Sequence, residues 1–148
     1  ASACYVHPPG GLPEVLGYRL PEDLRAFYGL CGGVDINVDQ PYELHIVPAS
    51  RLLKANPVIA GCEGEGDISY DWFILAENSG QYVTIDLGKE RTGRCYDSFW
   101  DCHAVAGSSM IIALSYTDFL SRVAEHTGEG WYWIASGFSG FGDAYEGT

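Results

Sequence analysis

Positive charge is scarce in this chain. Eight Lys and Arg stand against twenty Asp and Glu, giving a formal net charge of −12 at pH 7 over 148 residues. Binding to DNA or RNA is dominated by cationic contacts to phosphate, so charge argues against a nucleic-acid partner. Long apolar runs are lacking too. None approaches the roughly 20 residues that span a bilayer, and no basic stretch followed by an apolar core reads as a secretory signal, so no membrane partner is expected. The cysteines Cys4, Cys31, Cys62, Cys95 and Cys102 are an odd set with no Cys-x-x-Cys and no repeated spacing. That argues against a disulfide framework and for a reducing, cytoplasmic setting. His7, His45, His103 and His126 show no His-x-x-x-His spacing, and no glycine-rich stretch is followed by Gly-Lys-Ser/Thr, so neither a metal nor a cofactor is expected.

What is present is enough apolar material for a core: 47% hydrophobic and 14% aromatic residues. A chain of this length buries such a core without metal or disulfide support. No internal repeat and no linker between two cores is visible, so residues 1–148 read as one domain, with 1–12 and 137–148 expected to be flexible.

The most informative segment runs from Leu20 to Gly33. Pro21 suits a first helical position, where its missing N–H costs nothing, and Glu22 and Asp23 then occupy the first turn, where the helix dipole favours negative charge. Leu20, Leu24, Phe27 and Cys31 recur at three- and four-residue spacing and predict a buried stripe, with Gly32 or Gly33 taking the left-handed turn that ends the helix. Strands are expected at Val34–Val38 and Tyr42–Val47, at Trp72–Glu77 and Tyr82–Leu87 as the central hairpin, and at Gly93–Asp97, while the run Met110–Leu114 is apolar and leads into the last helix. Asn78 and Gly80 tolerate the positive φ that the central turn needs. Pro13–Tyr18 looks like a helix remnant, and Ala49–Lys54 like a short helix or turn that Pro57 soon interrupts. Ser98–Ser109 has no period and reads as a surface loop. Thr117 is expected to cap a last helix ending at His126, stopped by Gly128.

Together the order Leu20-Pro21-x-x-Leu24-x-x-Phe27-Tyr28, Gly32-Gly33, Leu75-Ala76-x-Asn78-x-Gly80 and Ile112-Ala113-x-Ser115-Tyr116-x-x-Phe119-Leu120 resembles the SUKH superfamily, the Smi/Knr group. The resemblance runs from Pro13 to Ala124. It implies an α+β fold, a central, mostly antiparallel twisted sheet of about five or six strands with helices packed against it. It also implies a protein that binds other proteins without catalysis, most often a bacterial immunity protein against a secreted toxin. Fungal relatives suggest instead a scaffold or regulator of cell-envelope or signalling proteins.

The acidic balance would attract a basic partner such as a nuclease toxin domain, though it also keeps a protein soluble. The candidate partner-binding residues are Glu63, Glu65, Asp67 and Asp71 in a glycine-rich acidic strip, and Asp97, Trp100 and Asp101 beyond the central hairpin. A calcium loop starting at Glu63 fails, because Ile68 stands where glycine is needed and Ile74 where the closing glutamate should be. Phe99-Trp100 lies outside any periodic element, as interface anchors often do, or else folds back on its own rings. Asp101-Cys102-His103 has the residue types of a thiol hydrolase, but adjacent residues on an extended chain point to different sides, so a shared proton is not expected.

Overall fold

A computed structural model of the protein describes residues 3–15, 17–126 and 129–148. Its core is one sheet of seven strands, β1 (Ala3–Val6), β2 (Val34–Val38), β3 (Leu44–Ile46), β4 (Trp72–Asn78), β5 (Gln81–Asp86), β6 (Cys95–Asp97) and β7 (Ile111–Ala113). Each strand pairs antiparallel with the next in the chain. Helices α1 (Glu22–Leu30), α2 (Ala55–Ile59) and α3 (Tyr116–Glu125) complete an α+β fold. Five strands, β2 to β6, fall where the sequence pattern places them, and β7 lies within the apolar run Met110–Leu114. The seventh, β1, is a short apolar run of exposed residues with no alternation of apolar and polar side chains, and backbone pairing with β2 defines it.

Several local expectations are corrected. In the β4–β5 turn the positive φ angles belong to Ser79 (48°) and Gly80 (84°). Asn78 instead pairs with Gln81 at the end of the ladder. Pro57 does not interrupt a helix; it is the third residue of α2, where a backbone N–H would have no intrahelical partner. The described residues of Pro13–Tyr18 form no helix, while Leu16, Gly128 and the helix stop expected at Gly128 lie outside the described residues.

Ser115, not Thr117, caps α3, its hydroxyl accepting the Asp118 N–H at 3.0 Å. Thr117 is committed elsewhere, because its N–H and hydroxyl both donate to Asp23 Oδ2, at 2.9 and 3.0 Å. The Asp23 carboxylate also accepts the Leu24 N–H. One negative charge thus serves the positive ends of two helix dipoles and fixes α1 on α3. The α1 stripe is Leu24, Phe27, Tyr28 and Cys31, with Phe27 set edge-on to Tyr116 at 5.0 Å. Tyr28 belongs to it because its hydroxyl donates to the Val47 carbonyl, so the ring is buried with its polar tip satisfied.

The helix stop also differs in kind. Cys31 turns extended after the last helical residue, and Gly32 and Gly33 serve close approach: a Cβ on Gly32 would lie 2.3 Å from the Pro8 oxygen, and one on Gly33 2.7 Å from the Ile46 oxygen.

Cys95 and Tyr96 are neighbours on β6 and face opposite sides of the sheet. Cys95 packs toward Ser115 at the start of α3, so its side is the helical one. On the other side Tyr96 stacks on Trp72 with ring centroids 4.2 Å apart, and His103 and Tyr145 meet the Trp72 ring edge-on. Loop and tail therefore cover this side. The expectation of a surface loop at Ser98–Ser109 is corrected accordingly, since Ser98, His103 and Ser109 are buried. The tail is tied to this loop by Ser109 N–H to Asp143 Oδ1 and Ala144 N–H to the Ser109 oxygen. Among the described residues no helix is long and apolar enough to cross a membrane.

Gly33 combines a φ of +126° with a backbone collision, whereas Gly80 has φ +84° and open space around it. Gly33→Ala is therefore expected to cost about 3 kcal/mol and Gly80→Ala about 1 kcal/mol. In thermal unfolding followed by circular dichroism, that is a Tm fall of roughly 6–12 °C against roughly 2–4 °C. Equal falls would contradict the close approach of Gly33 to β3.

Candidate protein-binding site

The acidic strip and the Trp100 loop are joined through one short helix. Lys54 and Leu53 extend the sheet beside β4, through a bridge to Phe73 and the Ile74 N–H to the Leu53 oxygen. That pairing fixes where α2 begins and points Asn56 inward, leaving it 4% exposed. Asn56 Nδ2 donates to the Ser69 hydroxyl oxygen at 3.0 Å and to the Glu63 carbonyl at 3.3 Å, both on the acidic strip. Asn56 Oδ1 lies 2.6 Å from His103 Nε2, on the Trp100 loop. A carbonyl oxygen faces that ring nitrogen, so Nε2 carries a proton and donates it to Asn56 Oδ1. Burial is the main cause that pushes the His103 pKa down, from its ordinary 6.5 to about 4, against a smaller upward pull from Asp67.

Within this frame the candidate residues divide. Asp67 accepts the Ser69 N–H and hydroxyl and the Tyr145 hydroxyl, fastening the strip to the tail. Asp71 accepts the Tyr18 hydroxyl at 2.7 Å. Asp97 Oδ1 takes the Phe99 N–H and the Cys102 thiol, and burial holds its carboxyl above the usual range. Each of these three carboxylates has one oxygen committed to bonds within the fold, although Asp67 itself is exposed. Glu63, Glu65 and Asp101 are exposed and have no side-chain hydrogen bond or ion pair among the described residues. Trp100 is 70% exposed, while its neighbour Phe99 folds back against Trp131 and Trp133. Of the two sequence alternatives for this aromatic pair, folding back on other rings is met by Phe99, while Trp100 faces outward.

The arrangement does not form a thiol hydrolase. Cys102 Sγ bonds to Asp97 and His103 Nε2 to Asn56, so nucleophile and base have different partners. Burial, followed by Asp97, pushes the Cys102 thiol up to about 12, away from thiolate.

Two further places were not legible in the sequence. A cleft of about 1080 Å³ opens between Tyr18, Asp71 and the Leu87–Thr92 turn. Beneath Gly88 in its wall lies Asp86, 2% exposed, which takes the Gly88 N–H and the Tyr96 hydroxyl and so anchors the turn. On β2 and β3, Asp35 holds His7 and His45 on its two oxygens, each at 2.7 Å, and His45 also meets Glu43. Burial works against charge on His45, but the hydrogen bonds and charges of Asp35 and Glu43 outweigh it and raise its pKa. Strand register brings these residues together, Asp35 lying opposite His45, which spacing along the chain does not reveal. Among the described residues no group of three or more His, Cys, Asp and Glu side chains is placed to hold a metal ion.

Comparison with known proteins adds two findings. The SMI1 / KNR4 family (SUKH-1) model matches residues 12–122. The chain is also similar to the Bacillus subtilis (strain 168) protein named Immunity protein YokJ, with 40% identity over 148 residues, covering 99% of this chain and 90% of that protein.

The depressed His103 pKa sets a pH dependence. The unfolded chain binds a proton near pH 6.5 that the folded protein refuses until about pH 4, so this contribution to stability is complete above the unfolded value and lost as pH falls through that window. Its size is about 3 kcal/mol. Urea unfolding of the wild type and His103→Gln between pH 7 and 4 should give a shallower loss in the variant. Parallel curves would show that His103 is not held neutral.

Proposed function

The chain belongs to the SMI1 / KNR4 family (SUKH-1), and from that premise we propose that it is an immunity protein that binds a toxin domain and blocks it by occlusion. The observation that carries the reading is Trp100. A 70% exposed indole sits on a loop whose other large ring is packed away, with Asp101 beside it and Glu63 and Glu65 on the strip joined to the same loop through Asn56. An exposed aromatic anchor flanked by unpaired carboxylates fits a partner whose surface has an apolar recess among Lys and Arg side chains. The partner is a basic toxin domain, a nuclease being one class whose groove has that charge, and the encounter takes place in the cytoplasm.

Blocking needs no bond to be made or broken by this chain. At a protein concentration well above Kd the free toxin falls by mass action, and a steric cover over its substrate groove does the rest. The net charge of −12 speeds association with a cationic partner, and screening at high salt removes that benefit. Glu63, Glu65 and Asp101 therefore act mainly on the association rate, whereas Trp100 acts on the lifetime of the complex.

Co-expression with a candidate toxin encoded beside its gene tests the reading by survival, and purified proteins then give the affinity. Trp100→Ala should weaken binding by roughly 30-fold or more, through faster dissociation. Lysine at positions 63, 65 and 101 together should slow association and flatten its salt dependence. Full protection by both variants would contradict this surface, and an affinity unchanged between low and high ionic strength would contradict the electrostatic part.

A further inference from the structure

We infer that Asn56 and His103 are positioning residues that make the acidic strip and the Trp100 loop one preformed surface; the inference rests on the partner-binding role given above to those segments. Neither segment has regular secondary structure of its own over most of its length, so each alone would lose conformational entropy on docking, about 0.5–1.5 kcal/mol for every long side chain fixed. A hydrogen-bond chain removes much of that cost in advance. It runs from the His103 Nε2 proton to Asn56 Oδ1, and from Asn56 Nδ2 to the Ser69 hydroxyl and the Glu63 carbonyl.

Both loops are shaped around this joint. A Cβ on Gly64 would lie 2.2 Å from Asn56 Nδ2, and Gly64 has φ +71°; only glycine lets the strip close onto the amide. On the other side Ala104 is held at φ +56°, a conformation that costs a side-chain-bearing residue energy and persists only where its surroundings over-determine it. Here they do. His103 N–H bonds to the Phe99 oxygen, Val105 N–H to the Ser109 hydroxyl, and that hydroxyl to the Cys102 carbonyl. The backbone is thus forced through a left-handed residue immediately after the imidazole that meets Asn56.

The joint has a chemical requirement as well. Asn56 supplies donor and acceptor from one planar group, so leucine of similar size keeps the volume and removes every bond, leaving the buried His103 N–H without an acceptor. Glutamine at position 103 still presents an N–H toward Asn56, whereas leucine there does not.

The test measures the distance between the loops in the free protein. Spin labels are placed on Cys62, which is exposed, and on Asp101→Cys, in a Cys4→Ser background. Cys31 and Cys95 are buried and Cys102 has a thiol pushed up to about 12, so they stay unlabelled at neutral pH. The expected result is one narrow distance distribution in this background and with His103→Gln, and a broad one with Asn56→Leu and His103→Leu while near-UV circular dichroism stays native. Amide exchange at Asp67 and His103 should accelerate about tenfold in both leucine variants and not in the β4–β5 hairpin. If a leucine variant does not fold, the unsubstituted chain decides: a common opening free energy for those two amides supports the joint, and clearly different values overturn it. Unchanged distance distributions in folded leucine variants also overturn it. No partner is needed for these readouts, so their failure leaves the toxin-binding reading standing, and a failure to bind a toxin leaves the joint standing.

Discussion

The fold turns on the indole of Trp72. This ring is fully buried at the start of β4, stacked on Tyr96 and met edge-on by His103 and Tyr145. The opposite side of the sheet has two helices to cover it. The Trp72 side has irregular chain and the five-residue α2, whose Asn56 bonds the His103 that meets Trp72, and neither offers a long apolar stripe. Large aromatic rings solve that problem, since each buries about 150–250 Å² and stacked or edge-on pairs add about 0.5–1.5 kcal/mol. One segment that closes over Trp72 is the loop that carries Trp100 and Asp101, and the acidic strip is bonded to that loop through Asn56 and to the tail through Asp67 and Tyr145, so the surface proposed for binding adjoins an aromatic core.

Much of this was legible in the sequence where local pattern and tertiary packing agree. Sequence pattern located the five strands β2 to β6, each of which has neighbours on both sides, and the Leu20–Gly33 segment announced α1 because dipole, proline and stripe coincide. Failures occur where a side chain has a distant partner. Thr117 reads as a cap until Asp23, far away in the chain, claims it. Gly32 and Gly33 read as a helix stop, whereas their role is to let Pro8 and Ile46 approach. At the site, the composition of the strip and the oddness of Trp100 were visible, but which carboxylates stay free was not. Asp67, Asp71 and Asp97 are indistinguishable in sequence from Glu63, Glu65 and Asp101; only the tyrosine hydroxyls and backbone N–H groups brought to them by the fold separate anchors from free charges.

This division gives the acidic character two uses. Carboxylates that accept internal hydrogen bonds hold loops that helices do not hold, and those left over create the outward field. The SMI1 / KNR4 family (SUKH-1) membership and the likeness to a protein named an immunity protein are the context in which the proposed partner would meet such a field. The His7–Asp35–His45 group on the far strands gives a useful contrast, since its side chains bond to one another and leave little for a partner.

The most direct measurement is a hydrogen-exchange map of the complex with the toxin domain against the free protein. The account predicts new protection over residues 61–67 and 99–103 and none in β1 to β3. Protection centred on β1 to β3, with the Trp100 loop unchanged, would contradict it.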